Sequence, residues 1–145
     1  MITLQTTTTV PGVTGRQLTD FFLRCDDHEY QRWWPGTHLH YRISGHRIFM
    51  DEYVGERRVK GTGVLAELIP GKKLVWKWLG LVRVVLEFQD TPKGARVTHT
   101  ICAGFYGLGR LLDPFLRLYL SPGFRRAMDE HVKLEFPRLA GVLAP

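Results

Sequence analysis

The sequence predicts an α+β fold in which a seven-stranded, curved antiparallel sheet wraps a long C-terminal helix, with two short helices between the first and second strands. Three observations carry this reading. An alternating, threonine-rich stretch opens the chain, strand-length segments punctuated by turn residues run on from Thr37, and after Gly107 and Gly109 the apolar spacing becomes helical. The length of 145 residues suits a single domain spanning 1–145, since domains run to about 100 to 200 residues and two halves would each be short of core.

Ile2 to Val10 alternates side-chain type and is rich in β-branched threonine, which suits a pleated strand ending at Pro11-Gly12. Thr14 stands three residues before Gln17, the spacing of a capping box, and Leu18, Phe21, Phe22 and Leu23 supply the buried side of a short helix. Asp26 and Asp27 favour the positive end of a second short helix, stopped by Pro35-Gly36 just after Trp33-Trp34. The turn pairs Ser44-Gly45, Gly55-Glu56, Pro70-Gly71 and Gly80-Leu81, with Thr91-Pro92-Lys93-Gly94, then divide six strands at about 37 to 43, 46 to 54, 59 to 69, 72 to 79, 82 to 90 and 94 to 103. Such short connections make an antiparallel meander.

Alternation assigns the faces, because successive side chains of a strand point to opposite sides. Leu74, Trp76 and Trp78 share an inner face against Lys73 and Lys77. Val82, Val84, Leu86 and Phe88 oppose Arg83 and Glu87, and Val97, Ile101 and Ala103 carry His99 inward with them. The 46 to 54 strand is ambiguous, with Ile48, Met50 and Val54 competing against Phe49 and Tyr53. Gly61 and Gly63 are expected to let the sheet bend. In the helical region Asp113-Pro114 and Ser121-Pro122 each read as an N-cap followed by proline at the first helical position. Beyond them Phe124, Ala127, Met128, Val132, Leu139 and Val142 gather on one side at about 100° per residue, with His131 and Glu135 in the same arc.

Composition narrows the function. Apolar and charged fractions of 44% and 23% are ordinary for a globular chain. The net charge of +6 is spread over isolated basic pairs such as Arg57-Arg58, Lys72-Lys73 and Arg125-Arg126 among acidic neighbours, so nucleic acid is not expected as a partner. Two cysteines, Cys25 and Cys102, without a CxxC pattern suit reduced thiols, no signal peptide is read in Met1 to Val10, and no stretch has the roughly 18 apolar residues of a membrane span. A cytoplasmic protein is expected.

The order of elements, with Trp33-Trp34-Pro35-Gly36 closing the second helix, Pro70-Gly71-Lys72-Lys73-Leu74-Val75-Trp76 at a hairpin and Met128-Asp129-Glu130-His131-Val132 in the closing helix, resembles the START-related or SRPBCC superfamily with its Bet v 1-like helix-grip fold. The resemblance covers the whole chain, and within the superfamily it points to the bacterial polyketide cyclase/dehydrase-like proteins. It implies a deep cavity between sheet and helix, used elsewhere for lipids, polyketides, plant hormones and quinones. Other members are cyclases or cochaperones, so the fold does not select a function.

The expected cavity wall comprises Trp76, Trp78, Leu86, Phe88, His99 and Ile101 from the sheet, Tyr41 from the 37 to 43 strand, Met128 from the helix, and Trp33 and Trp34. Aromatic surface suits a ring-bearing or lipid-like ligand, and on this reading Trp76→Ala weakens binding while leaving the fold intact. His99, His131 and Glu135 are the candidate acid/base residues; each also has an ordinary structural role open to it. His38 and His40, two apart on a strand, have a spacing that metal sites use. The inner-facing set Leu39, Tyr41 and Ile43 would turn both outward, so no metal is expected there, and no motif points to a cofactor. The stretch Phe105 to Phe124, apolar with interspersed Arg110 and Arg117, suits either core packing or transient contact with an anionic membrane. Three functions stay open: carriage of a hydrophobic small molecule, a cyclase- or dehydratase-like enzyme, and a cochaperone-like interaction domain. Oligomeric state is not legible.

Overall fold

The computed structural model describes residues 2–78, 80–105 and 107–143, and the predicted order of elements is present in them. β1 (Ile2–Pro11) precedes α1 (Gly15–Arg24) and α2 (Asp27–Trp33). The meander follows as β2 (His38–Ser44), β3 (Arg47–Val54), β4 (Arg57–Ile69), β5 (Lys73–Trp78), β6 (Val82–Thr91) and β7 (Gly94–Ala103). A 3-10 turn at Gly107–Leu112 leads into α3 (Asp113–Tyr119), α4 (Pro122–Arg138) and the single turn α5 (Ala140–Leu143). Leu79, the expected end of one strand, and Tyr106, inside the expected membrane-contacting stretch, lie outside the described residues.

The described strands form one sheet in the order β1-β7-β6-β5-β4-β3-β2, antiparallel at every junction. Register aligns the inner faces: Trp76 opposes Val84, which opposes Ile101, and Leu74 opposes Leu86, which opposes His99. Because each pair keeps parity, a continuous apolar floor crosses β5, β6 and β7. The ambiguity in β3 resolves the same way. Ile48 and Val54 are buried and Met50 half-buried on the inner face, and their parity carries Glu52 inward with them. Asp51, on the opposite side, is held by two hydrogen bonds from Arg58 at 2.9 and 2.7 Å.

Local chemistry sets the helix ends. Thr14 and Gln17 form the reciprocal capping box, Asp26 accepts from the Glu29 amide at 2.9 Å, and Ser121 accepts from the Phe124 amide at 3.2 Å with Pro122 next to it. The expected cap at Asp113 is corrected: Leu112 takes the N-cap position, and Asp113 Oδ1 instead accepts the Phe105 amide at 3.1 Å. A carboxylate one residue into the helix points back across the 3-10 turn and ties its start to α3. Pro137 stands near the end of α4, where the loss of a backbone donor suits the change of course into α5.

Gly61 and Gly63 leave room for two indoles. A Cβ at Gly61 would lie 2.5 Å from Trp78 Nε1, and one at Gly63 would lie 2.5 Å from Trp76 Nε1 and from the Lys77 carbonyl oxygen. The two bare backbones are thus the seats of the two indoles. Gly63→Ala should cost about 1–3 kcal/mol, the range for overpacking a filled core, measured by urea denaturation; an unchanged midpoint would mean that Trp76 has room to move.

Candidate functional site

A cavity of about 400 Å³ lies between the concave face of the sheet and α4. Its floor is Trp76 and Trp78 of β5, Val84 and Leu86 of β6, and Ile101 of β7; its far wall is Met128, Val132 and Phe136 of α4. Leu116 and Tyr119 of α3, with Leu120 just after it, cover one end. Arg57 of β4 holds that cover in place. Its guanidinium donates to the Tyr119 carbonyl at 2.8 Å and lies 4.5 and 4.3 Å from the ring centres of Tyr119 and Phe124.

At the opposite end the wall turns polar. His38 of β2, Glu52 of β3, and His131 and Glu135 of α4 converge so that one donor atom from each lies within 4.8 Å of all the others. His38 Nε2 lies 3.3 Å from Glu52 Oε2 and 3.5 Å from Glu135 Oε2, and His131 Nε2 lies 3.3 Å from Glu52 Oε2 and in contact with Glu135 Oε2. The other ring nitrogen of His38, Nδ1, donates to the Tyr30 carbonyl at 3.1 Å, which directs Nε2 at the cluster. Although close to both carboxylates, the fully buried His38 Nε2 makes no hydrogen bond of proper angle with either.

Aromatic rings wall the cluster in. Tyr30 stacks on His38 with ring centres 3.9 Å apart and donates its hydroxyl to Glu52 Oε2 at 2.9 Å, and Trp34 stacks on His131 at 4.9 Å. Trp33 Nε1 donates to the Glu135 carbonyl at 2.7 Å, fixing that turn of α4 to α2.

Burial alone would drive both imidazoles toward neutrality, but the two carboxylates outweigh it. Glu135 and Glu52 hold His38 up to about 9 and His131 up to about 10. Burial and mutual repulsion likewise oppose ionisation of the carboxylates, yet the imidazoles hold both Glu52 and Glu135 below the ordinary range. Each imidazole thus faces both carboxylates in one buried cluster. Across the cavity His99 has the reverse fate: burial dominates, lowers its pKa and leaves a neutral imidazole on the wall.

The expected residues divide. Trp33, Tyr41, Trp76, Trp78, Leu86, His99, Ile101 and Met128 line the cavity, as do His131 and Glu135. Phe88 is buried but lies beyond the cavity's end, in core packing near Gly15 of α1, and Trp34 stands behind His131 without lining the space. The outward placement of His38 is corrected. A register shift between His38 and His40 inserts a bulge in β2, so the two histidines do not share a face: His38 is buried, while His40 is half-exposed and bonded to Asp27 at 3.1 Å. Glu52, Tyr30 and Phe136 were missed as site residues. Glu52 could have been found, since its parity is that of Ile48, Met50 and Val54.

Among the described residues no helix is long and apolar enough to cross a membrane. No protein-family model matches the sequence, and no curated protein matches it. Solved structures do. A protein of unknown function from Staphylococcus aureus aligns over 98% of this chain and 93% of its own, with 9% identity and a TM-score of 0.61. A protein from Chromobacterium violaceum aligns over 100% and 99%, with 14% identity and a TM-score of 0.56. An AHSA1-like protein from Aeromonas hydrophila aligns over 90% and 94%, with 14% identity and a TM-score of 0.53. At such identities the likeness is one of fold. With its seven-stranded antiparallel sheet gripping α4 and its two short helices after β1, the chain has a helix-grip fold, shared with these structures.

Proposed function

We propose that the chain binds and carries a hydrophobic small molecule, of lipid, polyketide or aromatic type, in the cavity between the sheet and α4. The observation that carries this is the cavity itself: about 400 Å³ of space walled mainly by indole, branched aliphatic and aromatic side chains, with few ionisable groups, chiefly Glu52, His131 and Glu135 together with His99 and Lys60. Ligand pockets commonly run to about 300–1,000 Å³ with this apolar wall and few directing groups. Burial of the ligand's apolar surface gives affinity, and His99 and the cluster at the far end orient any hydroxyl or carbonyl it bears.

Transient contact with an anionic membrane belongs to the same reading. The 3-10 turn and α3 expose Leu108, Leu111, Phe115 and Leu118 by 90%, 78%, 67% and 75%, beside exposed Arg110 and Arg117. The opposite side of α3 bears on the cavity through Leu116 and Tyr119. One short helix therefore joins a membrane-seeking surface to the cover of the ligand space. Work in the cytoplasm fits the free thiols of Cys25 and Cys102.

Native mass spectrometry of the purified chain, followed by denaturing extraction, tests carriage. A hydrophobic molecule retained at one per chain supports it; an empty chain that also takes up none of a panel of fatty acids, quinones and aromatic polyketides excludes it. Trp78 is only partly buried, so Trp78→Ala should weaken a bound ligand about ten- to a hundredfold, measured by titration, with the fold retained; unchanged affinity would move the ligand elsewhere. A second reading, an enzyme of the cyclase or dehydratase type, is favoured by the acid and base groups on the cavity wall. Loss of water from a polyketide-like substrate, catalysed by the chain and abolished in His131→Gln, would select it over carriage.

A further inference from the structure

We propose that His38, Glu52, His131 and Glu135 are the ligands of a divalent transition-metal site, of the zinc class, at the edge of the cavity, which Glu52, His131 and Glu135 line and His38 backs. The donors are right in kind and number. Two imidazole nitrogens and two carboxylate oxygens make a tetrahedral set, and two carboxylates neutralise the charge of one divalent ion. Spacing agrees. With metal–ligand bonds of roughly 2.0–2.2 Å, tetrahedral donors stand about 3.3–3.6 Å apart. The His38–Glu52, His38–Glu135 and His131–Glu52 separations are 3.3, 3.5 and 3.3 Å. Only the His131–Glu135 contact is closer, and it widens by side-chain rotation on one face of α4.

The orphaned nitrogen is the second, independent observation. His38 Nε2 is buried, aimed at the centre of the group and without a hydrogen bond, a costly arrangement unless something other than a proton completes it. Its surroundings have the outer-shell form that metal-binding imidazoles take, with Nδ1 donating to the Tyr30 carbonyl and fixing both tautomer and ring plane. Tyr30 orients a second ligand through its hydroxyl on Glu52, and the Trp33 indole anchors the backbone of a third at Glu135. Tyr30 is thus a positioning residue for two ligands, one on β2 and one on β3. The site joins the β2–β3 hairpin to α4, which is distant in sequence, so metal binding would lock α4 to that end of the sheet. It does not depend on the carriage reading: a chain that binds no hydrophobic ligand would still bind the metal.

The test uses the full chain, stripped with EDTA and titrated with Zn²⁺ against a chromophoric chelator, with Co²⁺ as a spectroscopic probe. The expected result is one Zn²⁺ per chain, the intense visible bands of tetrahedral Co²⁺, and a rise in Tm on adding Zn²⁺. His38→Gln and Glu52→Gln should each weaken Zn²⁺ binding at least about a hundredfold and remove the rise in Tm, whereas Tyr30→Phe, which keeps all four ligands, should weaken it about tenfold. Circular dichroism of the stripped variants separates a lost ligand from a lost fold, and the Co²⁺ spectrum of the unaltered chain stands whether or not a variant folds. Absence of stoichiometric Zn²⁺ binding by the unaltered chain overturns the proposal. So does binding that survives both His38→Gln and Glu52→Gln, which would assign the ion to exposed groups.

Discussion

Trp76→Ala should lower the free energy of unfolding by about 3–5 kcal/mol, the range for truncating a buried large aromatic side chain, and so should shift the urea midpoint strongly. Trp76 is only 9% exposed, belongs to the main core with Leu74, Leu86 and Tyr41, and its indole N–H reaches the Ile48 carbonyl at 3.4 Å. It also covers the bare backbone of Gly63, so truncation leaves a void bordered by main chain that cannot move in to fill it. The expectation drawn from sequence, that Trp76→Ala would affect ligand and spare the fold, does not survive this packing. A loss below about 1 kcal/mol would show instead that the indole is replaceable wall, and would restore Trp76 as a pure binding probe.

That difference marks where sequence reasoning stops. Alternation told which way Trp76 points, since parity along β5 is a local property, but not what lies beneath it, since Gly63 reaches it only through the β4–β5 pairing. The same holds for Phe88. Its inward direction was legible in β6, whereas its place beyond the cavity's end depends on where α1 docks. Directions follow from one strand, and distances require the assembled sheet.

The cluster of four shows both sides of this limit. His131 and Glu135 were legible because a helical period of 3.6 residues puts positions four apart on one face. Glu52 was legible in principle from its parity with Ile48 and Met50, once these are taken as the inner set of β3. His38 was not. Its burial rests on the register shift between His38 and His40, and one extra residue in a strand reverses the face of everything on one side of it. No residue of β2 announces that bulge by type, so the reading that turned both histidines outward followed the alternation correctly and still missed the group's fourth member.

The triple variant Leu111→Ser, Phe115→Ser, Leu118→Ser should abolish binding to phosphatidylglycerol vesicles in a cosedimentation assay while leaving Tm nearly unchanged. These side chains are 78%, 67% and 75% exposed and contribute little to the core, so their loss should alter stability by no more than about 0.5 kcal/mol. Inserted into the interfacial region, each would contribute up to about 1.5–3 kcal/mol, so removing all three should weaken vesicle binding by at least about a hundredfold. Arg110 and Arg117 add roughly 1 kcal/mol each near an anionic surface, a contribution that salt screens, so binding should be weaker at high ionic strength and on phosphatidylcholine. Equal cosedimentation of variant and unaltered chain would remove the membrane from the reading. Because α3 also lines the cavity through Leu116 and Tyr119, docking of its outer face on a membrane would, on the proposed carriage reading, be coupled to opening in one element. The variant should then slow ligand exchange between vesicles without changing equilibrium affinity in solution, and an exchange rate left unchanged would mean that ligand enters by a route that α3 does not guard.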